Sequence, residues 1–214
     1  AFCAGADTGR FPSMLGNAQA AAQYARDCSR LLVHLDGMRK PVVAALNGMA
    51  LGGGLELAMR CHALVAQRAA WMQFPEVTLG IAPGIGALVV PYRRWPGAAA
   101  TFHGMLCQAE RLQATRAQEL GIIDGLAEDY LGLVELACRR VRELAGAARP
   151  GLDAPVALAV MPAVEARAAD GQPLSAEVIG IIGRAVAAAA SATTIAATPN
   201  DVSDRRICDL TNRA

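Results

Sequence analysis

Apolar residues recur at helical spacing between Asn17 and Met38, where Ala22, Ala25, Leu32, Leu35 and Met38 share a face and Asn17 is placed to cap the N-terminus. Lys40-Pro41 stops this helix, because the residue before a proline is driven out of the α region. The unbroken apolar run Val42 to Leu46 then has the length of a buried strand, and Asn47-Gly48 after it is a turn signal. Glycines 52–54 open a short helix from Leu55 to about Met59, and Cys61 to Ala66 follows as a second buried strand. Two strands joined through a helix predict a β-α-β crossover in a parallel or mixed sheet.

From Trp71 to Gly86 the periodicity is lost. Pro75, Gly80, Pro83, Gly84 and Gly86 predict a loop there, and it carries a single acid, Glu76. Helical spacing returns over Ala98–Met105, Ala114–Leu120 and Leu131–Ala147, with Ile122-Ile123-Asp124 as a short strand or turn. Arg149-Pro150-Gly151 breaks the chain, Val156–Ala169 and Ser175–Ala190 predict two more helices, and 196–214 is polar and poorly periodic. Strands and helices first, helices alone afterwards, indicate an α/β fold with a helical C-terminal part.

Composition narrows the function. With 20 Lys+Arg against 19 Asp+Glu there is no basic surplus to follow a phosphate backbone, so nucleic acid is not an expected partner. The apolar share of 54% comes largely from alanine, and windows such as 41–46 and 178–190 are too short or interrupted to cross a bilayer. No basic n-region or signal cleavage pattern stands at the start, so the expected location is cytoplasmic. The six cysteines form no C-x-x-C pair, which suits reduced thiols better than disulfides or a metal site. His34, His62 and His103 lack ligand spacing, and structural roles are expected for them.

Three stretches could carry chemistry. In Leu51-Gly52-Gly53-Gly54-Leu55-Glu56 the glycines stand between a strand and a helix, where free N–H groups could face a ligand oxygen, although a tight turn alone would use them equally well. The spacing is wrong for a P-loop. Glu56 and Glu76 are separated by one strand that could bring them together. Paired carboxyls in a dry cleft can divide acid and base roles, but a helix-start acid and a solvated loop acid would look the same. Ala1-Phe2-Cys3-Ala4-Gly5-Ala6-Asp7 is a small-residue strand end able to present another N–H. Trp71 and Phe74 flank the Glu76 loop as packing residues or acyl-chain contacts.

Taken in register, AFCAGAD, KPVVAALNGMALGGGLELAM and FPEVTLGIAPGIGA make this sequence similar to the crotonase superfamily of enoyl-CoA hydratases and isomerases, from residue 1 to about 145. The resemblance implies a ββα spiral core over 1–150, N-terminally truncated relative to the family, and a C-terminal helical segment over 151–214 for a lid or oligomerisation. It implies an oxyanion hole from the N–H groups of Ala4 and Gly53, catalysis by Glu56 and Glu76, and substrate contacts at Ala6, Asp7, Gly52, Pro83 and Gly84. By this likeness Glu76 protonates the α-carbon of a 2-enoyl-CoA while Glu56 activates the added water. No cofactor is then needed beyond the CoA thioester substrate, no membrane partner is implied, and the assembly is a homotrimer or a dimer of trimers. Having both glutamates tilts the resemblance toward hydration. Double-bond isomerisation, thioester hydrolysis and a non-catalytic acyl-CoA-binding subunit are the alternatives. An acid of the dienoyl-CoA isomerase subgroup is replaced by Gly84, Ala87-Leu88-Val89-Val90 departs from the family's Thr-Gln-Arg-Leu, and Ser203-Asp204-Arg205-Arg206 departs from its closing motif.

Overall fold

The computed structural model describes residues 1–14, 16–147, 152, 157–158, 161 and 163–191. A 3-10 helix, Thr8–Met14, leads into α1 (Ala18–Val33), followed by β1 (Val43–Leu46), β2 (Ala50–Leu51), α2 (Gly53–Arg60), β3 (Ala63–Gln67) and β4 (Trp71–Gln73). A second 3-10 helix, Glu76–Leu79, precedes α3 (Val90–Arg94) and α4 (Ala99–Gln108). Then come β5 (Leu112–Gln113), α5 (Ala114–Glu119), β6 (Gly125–Ala127), α6 (Tyr130–Glu143) and α7 (Ala176–Ser191). Asn17 caps α1 as its sequence implies, Oδ1 accepting the Ala20 N–H at 3.0 Å.

The strands form two small sheets. In one, β1, β3 and β6 are all parallel, with Val43 opposite Ala63 and Val65 opposite Gly125. Alternate residues serve opposite faces: Val43, Ala45 and Val65 meet Leu133, Leu136 and Ala137 of α6, while Ala44, Leu46, Leu64 and Ala66 join the main core beneath α2. Covered on both faces, β3 shows no polar side chain from Ala63 to Ala66. In the other sheet β2 pairs parallel with β4, β4 pairs antiparallel with β5, and Cys3 bridges to Ala50. The β-α-β crossover is thus present as β1-α2-β3, with β2 diverted into its own sheet at Asn47-Gly48.

Polar side chains lock the junctions. Arg94 of α3 donates to the carbonyls of Met59, Cys61 and His62, satisfying oxygens that the end of α2 leaves without partners. His62 accepts the Val42 N–H on Nδ1 at 3.0 Å. Asp124 accepts the Leu64 N–H at 2.9 Å and pairs with Arg140.

Three expectations need correction. The helix from Asn17 ends at Val33 rather than Met38, in a turn whose N–H groups return to Leu32 and Val33. The Trp71–Gly86 loop contains β4 and a 3-10 turn, because backbone pairing to Ala50 and Leu51 replaces the missing periodicity. The helix over Val156–Ala169 is absent among the described residues. Arg167 there forms an antiparallel bridge with Pro173, and Ala168 exchanges backbone bonds with Gln172 and Gly171. The stretch 196–214 lies outside the described residues. No helix of the described residues is long and apolar enough to cross a membrane. Five cysteines, 3, 28, 61, 107 and 138, are free thiols.

Candidate active site

The site begins where β2 and β4 end together. Leu51 lies opposite Gln73, and the Gly52 N–H donates to the Gln73 carbonyl at 3.0 Å, closing the parallel pair. Beyond Gln73 the chain turns at Pro75 into the short 3-10 helix, which sets Glu76 against Gly52. Gly52 has φ +48°, and a Cβ there would collide with Glu76 Oε1, so the position requires glycine twice over. On the other side of the turn, Leu51 N–H donates to Cys3 O at 2.9 Å, which lays residues 4–6 along the glycine run. A methyl built on Gly5 would stand 3.3 Å from Gly53 N, and one on Gly53 3.7 Å from Ala6 N. Neither the Ala4 nor the Gly53 N–H donates to a backbone carbonyl among the described residues. Gly53, as the first residue of α2, has no intrahelical acceptor.

The two carboxyls meet different treatment. Glu56, in the first turn of α2, is 3% exposed, and its Oε1 accepts the N–H groups of Ile85 and Ala87, each at 2.9 Å. Burial raises its pKa, opposed by those two donors and by Arg60. Arg60 is itself held by Asp36 at 2.5 Å. Glu76 has no such cradle: its Oε2 is buried with no hydrogen-bond partner in the described structure. Burial, then the nearby Glu56 carboxylate, push Glu76 up to about 8. At neutral pH Glu76 is therefore mostly a neutral acid able to give a proton, beside a fixed neighbour able to hold water.

A cavity of about 560 Å³ opens over this junction. Ala4, Ala6, Gly52, Gly53, Glu56, Glu76 and Gly84 line it. Asp7 and Pro83 do not: the Asp7 carboxylate turns back to the Gly9 N–H at 3.0 Å, and Pro83 is buried behind the loop. Phe74 is fully buried in the core and Trp71 stacks under Arg111 at 4.5 Å, so both pack rather than face the cavity. No residue of the opposite wall is singled out as a site residue by the sequence, although a lid from the C-terminal helical segment is implied by the resemblance. That wall comes from the first 3-10 helix through Phe11 and Met14, from α1 through Ala21, Tyr24 and Ala25, and from α7 through Glu177, Val178 and Ile181. The apolar stripe of α1 was legible, but nothing local distinguishes an alanine facing a cavity from one facing a core. Among the described residues no group of three or more His, Cys, Asp or Glu is placed to hold a metal ion.

A family model described as "Enoyl-CoA hydratase/isomerase" matches residues 1–172. The Bacillus subtilis protein named "Probable enoyl-CoA hydratase" is 36% identical over 137 residues, covering 64% of this chain and 52% of its own. A crystal structure of an enoyl-CoA hydratase from Bacillus anthracis superposes with TM-score 0.59 at 29% identity, covering 68% of this chain and 54% of its own. One from Polaromonas sp. JS666, 24% identical with TM-score 0.61, covers 98% of this chain and 67% of its own and speaks for the fold alone. The chain thus spans about half the length of the Bacillus subtilis and Bacillus anthracis proteins.

Proposed function

The chain belongs to the enoyl-CoA hydratase/isomerase family and has the crotonase fold, and from that premise we propose that it serves hydration of a 2-enoyl-CoA thioester. The thioester oxygen accepts hydrogen bonds from the Ala4 and Gly53 N–H groups, which stabilise the negative charge it acquires as the β-carbon is attacked. Glu56 orients water and takes one of its protons while the oxygen bonds to the β-carbon. Glu76 gives its proton to the α-carbon. The net change is the addition of one water, and proton exchange through the cavity resets both carboxyls. What carries the reading is the contrast between a Glu56 cradled by two backbone amides and a Glu76 whose buried Oε2 has no partner, both on the wall of one cavity.

The proposal extends to a reaction without a cofactor, to a homotrimer or dimer of trimers, and to a cytoplasmic location. A second reading is double-bond isomerisation, favoured by the free Oε2 of Glu76, which alone could carry a proton between two carbons. Mass spectrometry of the chain incubated with crotonyl-CoA tests the first reading. One added water, lost in Glu76→Gln, is expected. A 3-enoyl-CoA converted to its 2-enoyl isomer without hydration would transfer the assignment to isomerase, and free CoA would indicate a hydrolase.

A further inference from the structure

Resting on the hydratase reading, we propose that Arg60 is a positioning residue of this site: its guanidinium, anchored by Asp36, backs the turn that grips Glu56 and keeps that carboxyl charged, with one oxygen left for water. Arg60 follows Glu56 by one turn on α2 and is 3% exposed. Its Nη1 donates to Asp36 Oδ2 at 2.5 Å, and Asp36 sits in the turn after α1, where its own N–H returns to Val33. The Nη2 and Nε edge of the guanidinium meets Gly86, where a Cβ would stand 3.2 Å and 3.3 Å from those two nitrogens. Gly86, at φ +135°, is the residue between the two amides that converge on Glu56 Oε1. With Oε1 spent on them, Oε2 faces the glycine run, 3.9 Å from where a Cβ on Gly53 would lie.

A buried guanidinium is costly unless carboxylates answer it. Helix capping does not account for Arg60, because the carbonyls of Met59, Cys61 and His62 at the end of α2 take donors from Arg94. What its position answers is Glu56: burial disfavours the charged carboxylate there, and the two amides and then Arg60 favour it. The other titratable groups around α2 are Glu76 of the second 3-10 helix, Glu177 of α7 and Tyr24 of α1 on the cavity wall, Cys3 against Gly54, and Arg93 and Arg94 of α3, which donate to carbonyls. Strands β1, β2 and β3 bring none. Arg60 is the cation among them that acts on Glu56.

Two readouts separate positioning from mere support: the pH profile of crotonyl-CoA hydration, and a carboxyl NMR titration of Glu56, assigned with Glu56→Gln, which needs no turnover. Arg60→Met should lower kcat about tenfold to a hundredfold with KM within about twofold. It should also move the acidic limb of the profile and the Glu56 titration to higher pH, and leave the basic limb of Glu76 in place. Asp36→Asn removes a carboxylate from beside Arg60 while keeping an acceptor, and should move both to lower pH. Arg60→Lys should bring the titration back toward wild type but recover only part of kcat, because an ammonium lacks the planar edge that meets Gly86. Where Arg60→Met does not fold, Asp36→Asn and Arg60→Lys decide. A Glu56 titration that none of these variants moves, or kcat lost equally at every pH, overturns the proposal. Titration shifts in a chain that does not hydrate crotonyl-CoA uphold the hold of Arg60 on Glu56 and overturn the hydratase reading, and hydration with an unmoved titration does the reverse.

Discussion

The two halves of the cavity are held by different forces. The half at the strand ends is fixed by backbone: Gly52 bonded to Gln73, Leu51 bonded to Cys3, and Glu56 gripped by two amides. No Cβ fits at Gly52 there. The half formed by α1 and α7 is built of side chains, with alanines at 21 and 25 and residues such as Val178 and Ile181 that also belong to the core or its margin. On the proposed reading, chemistry that tolerates little displacement would sit on the half fixed by backbone, and the half built of side chains would shape what enters.

The sharpest way to break this comparison is at the reacting groups. Glu76→Gln should cut turnover about 10²–10⁴-fold with no loss of melting temperature, measured by steady-state kinetics and calorimetry. Gly54→Ala comes next: its methyl would meet Cys3 O at 2.6 Å and Cys3 Sγ at 2.7 Å, so about 1–3 kcal/mol of stability should be lost in urea unfolding. The third test is pH. The Glu76 carboxyl at about 8 lies above its unfolded value of roughly 4.3, so the folded state holds a proton that the unfolded chain has released between them. Stability is then full below about pH 4.3 and declines by at most about 1.4 kcal/mol per pH unit up to about 8. Glu76→Gln should flatten that slope, and hydration should fade as pH rises through 8. The smallest effect belongs to the other half, where Ala21→Ser should change stability by less than about 0.5 kcal/mol and crotonyl-CoA turnover by no more than about twofold.

Legibility followed the same division. Glu56, Glu76 and the glycine run were singled out by their register with the motifs of the crotonase superfamily, since residue type and spacing alone left each open to a turn or helix-start role. The strands that join them were not: β2 has two residues and β4 three, too short for any period to show, and their partners lie more than twenty positions apart. Asp7, given a substrate contact only by the resemblance, spends its carboxylate on the Gly9 N–H of its own turn, which is the simplest role for an acid at that place. The helix expected over Val156–Ala169 runs through alanines that favour a helix anywhere, a preference overridden where backbone groups find partners in a bridge such as Arg167 with Pro173.

By itself the sequence determined the β-α-β unit, which depends on residue type and short spacing, and through its register with the family motifs it marked the two acids and the glycines. Tertiary structure alone decided that Gly52 stops against Glu76, that Ile85 and Ala87 spend their amides on Glu56, and that α1 and α7 close the far wall. Those outcomes depend on which surfaces meet after the strands have paired. Burial and desolvation, and with them the proton on Glu76, exist only once distant segments have excluded water together.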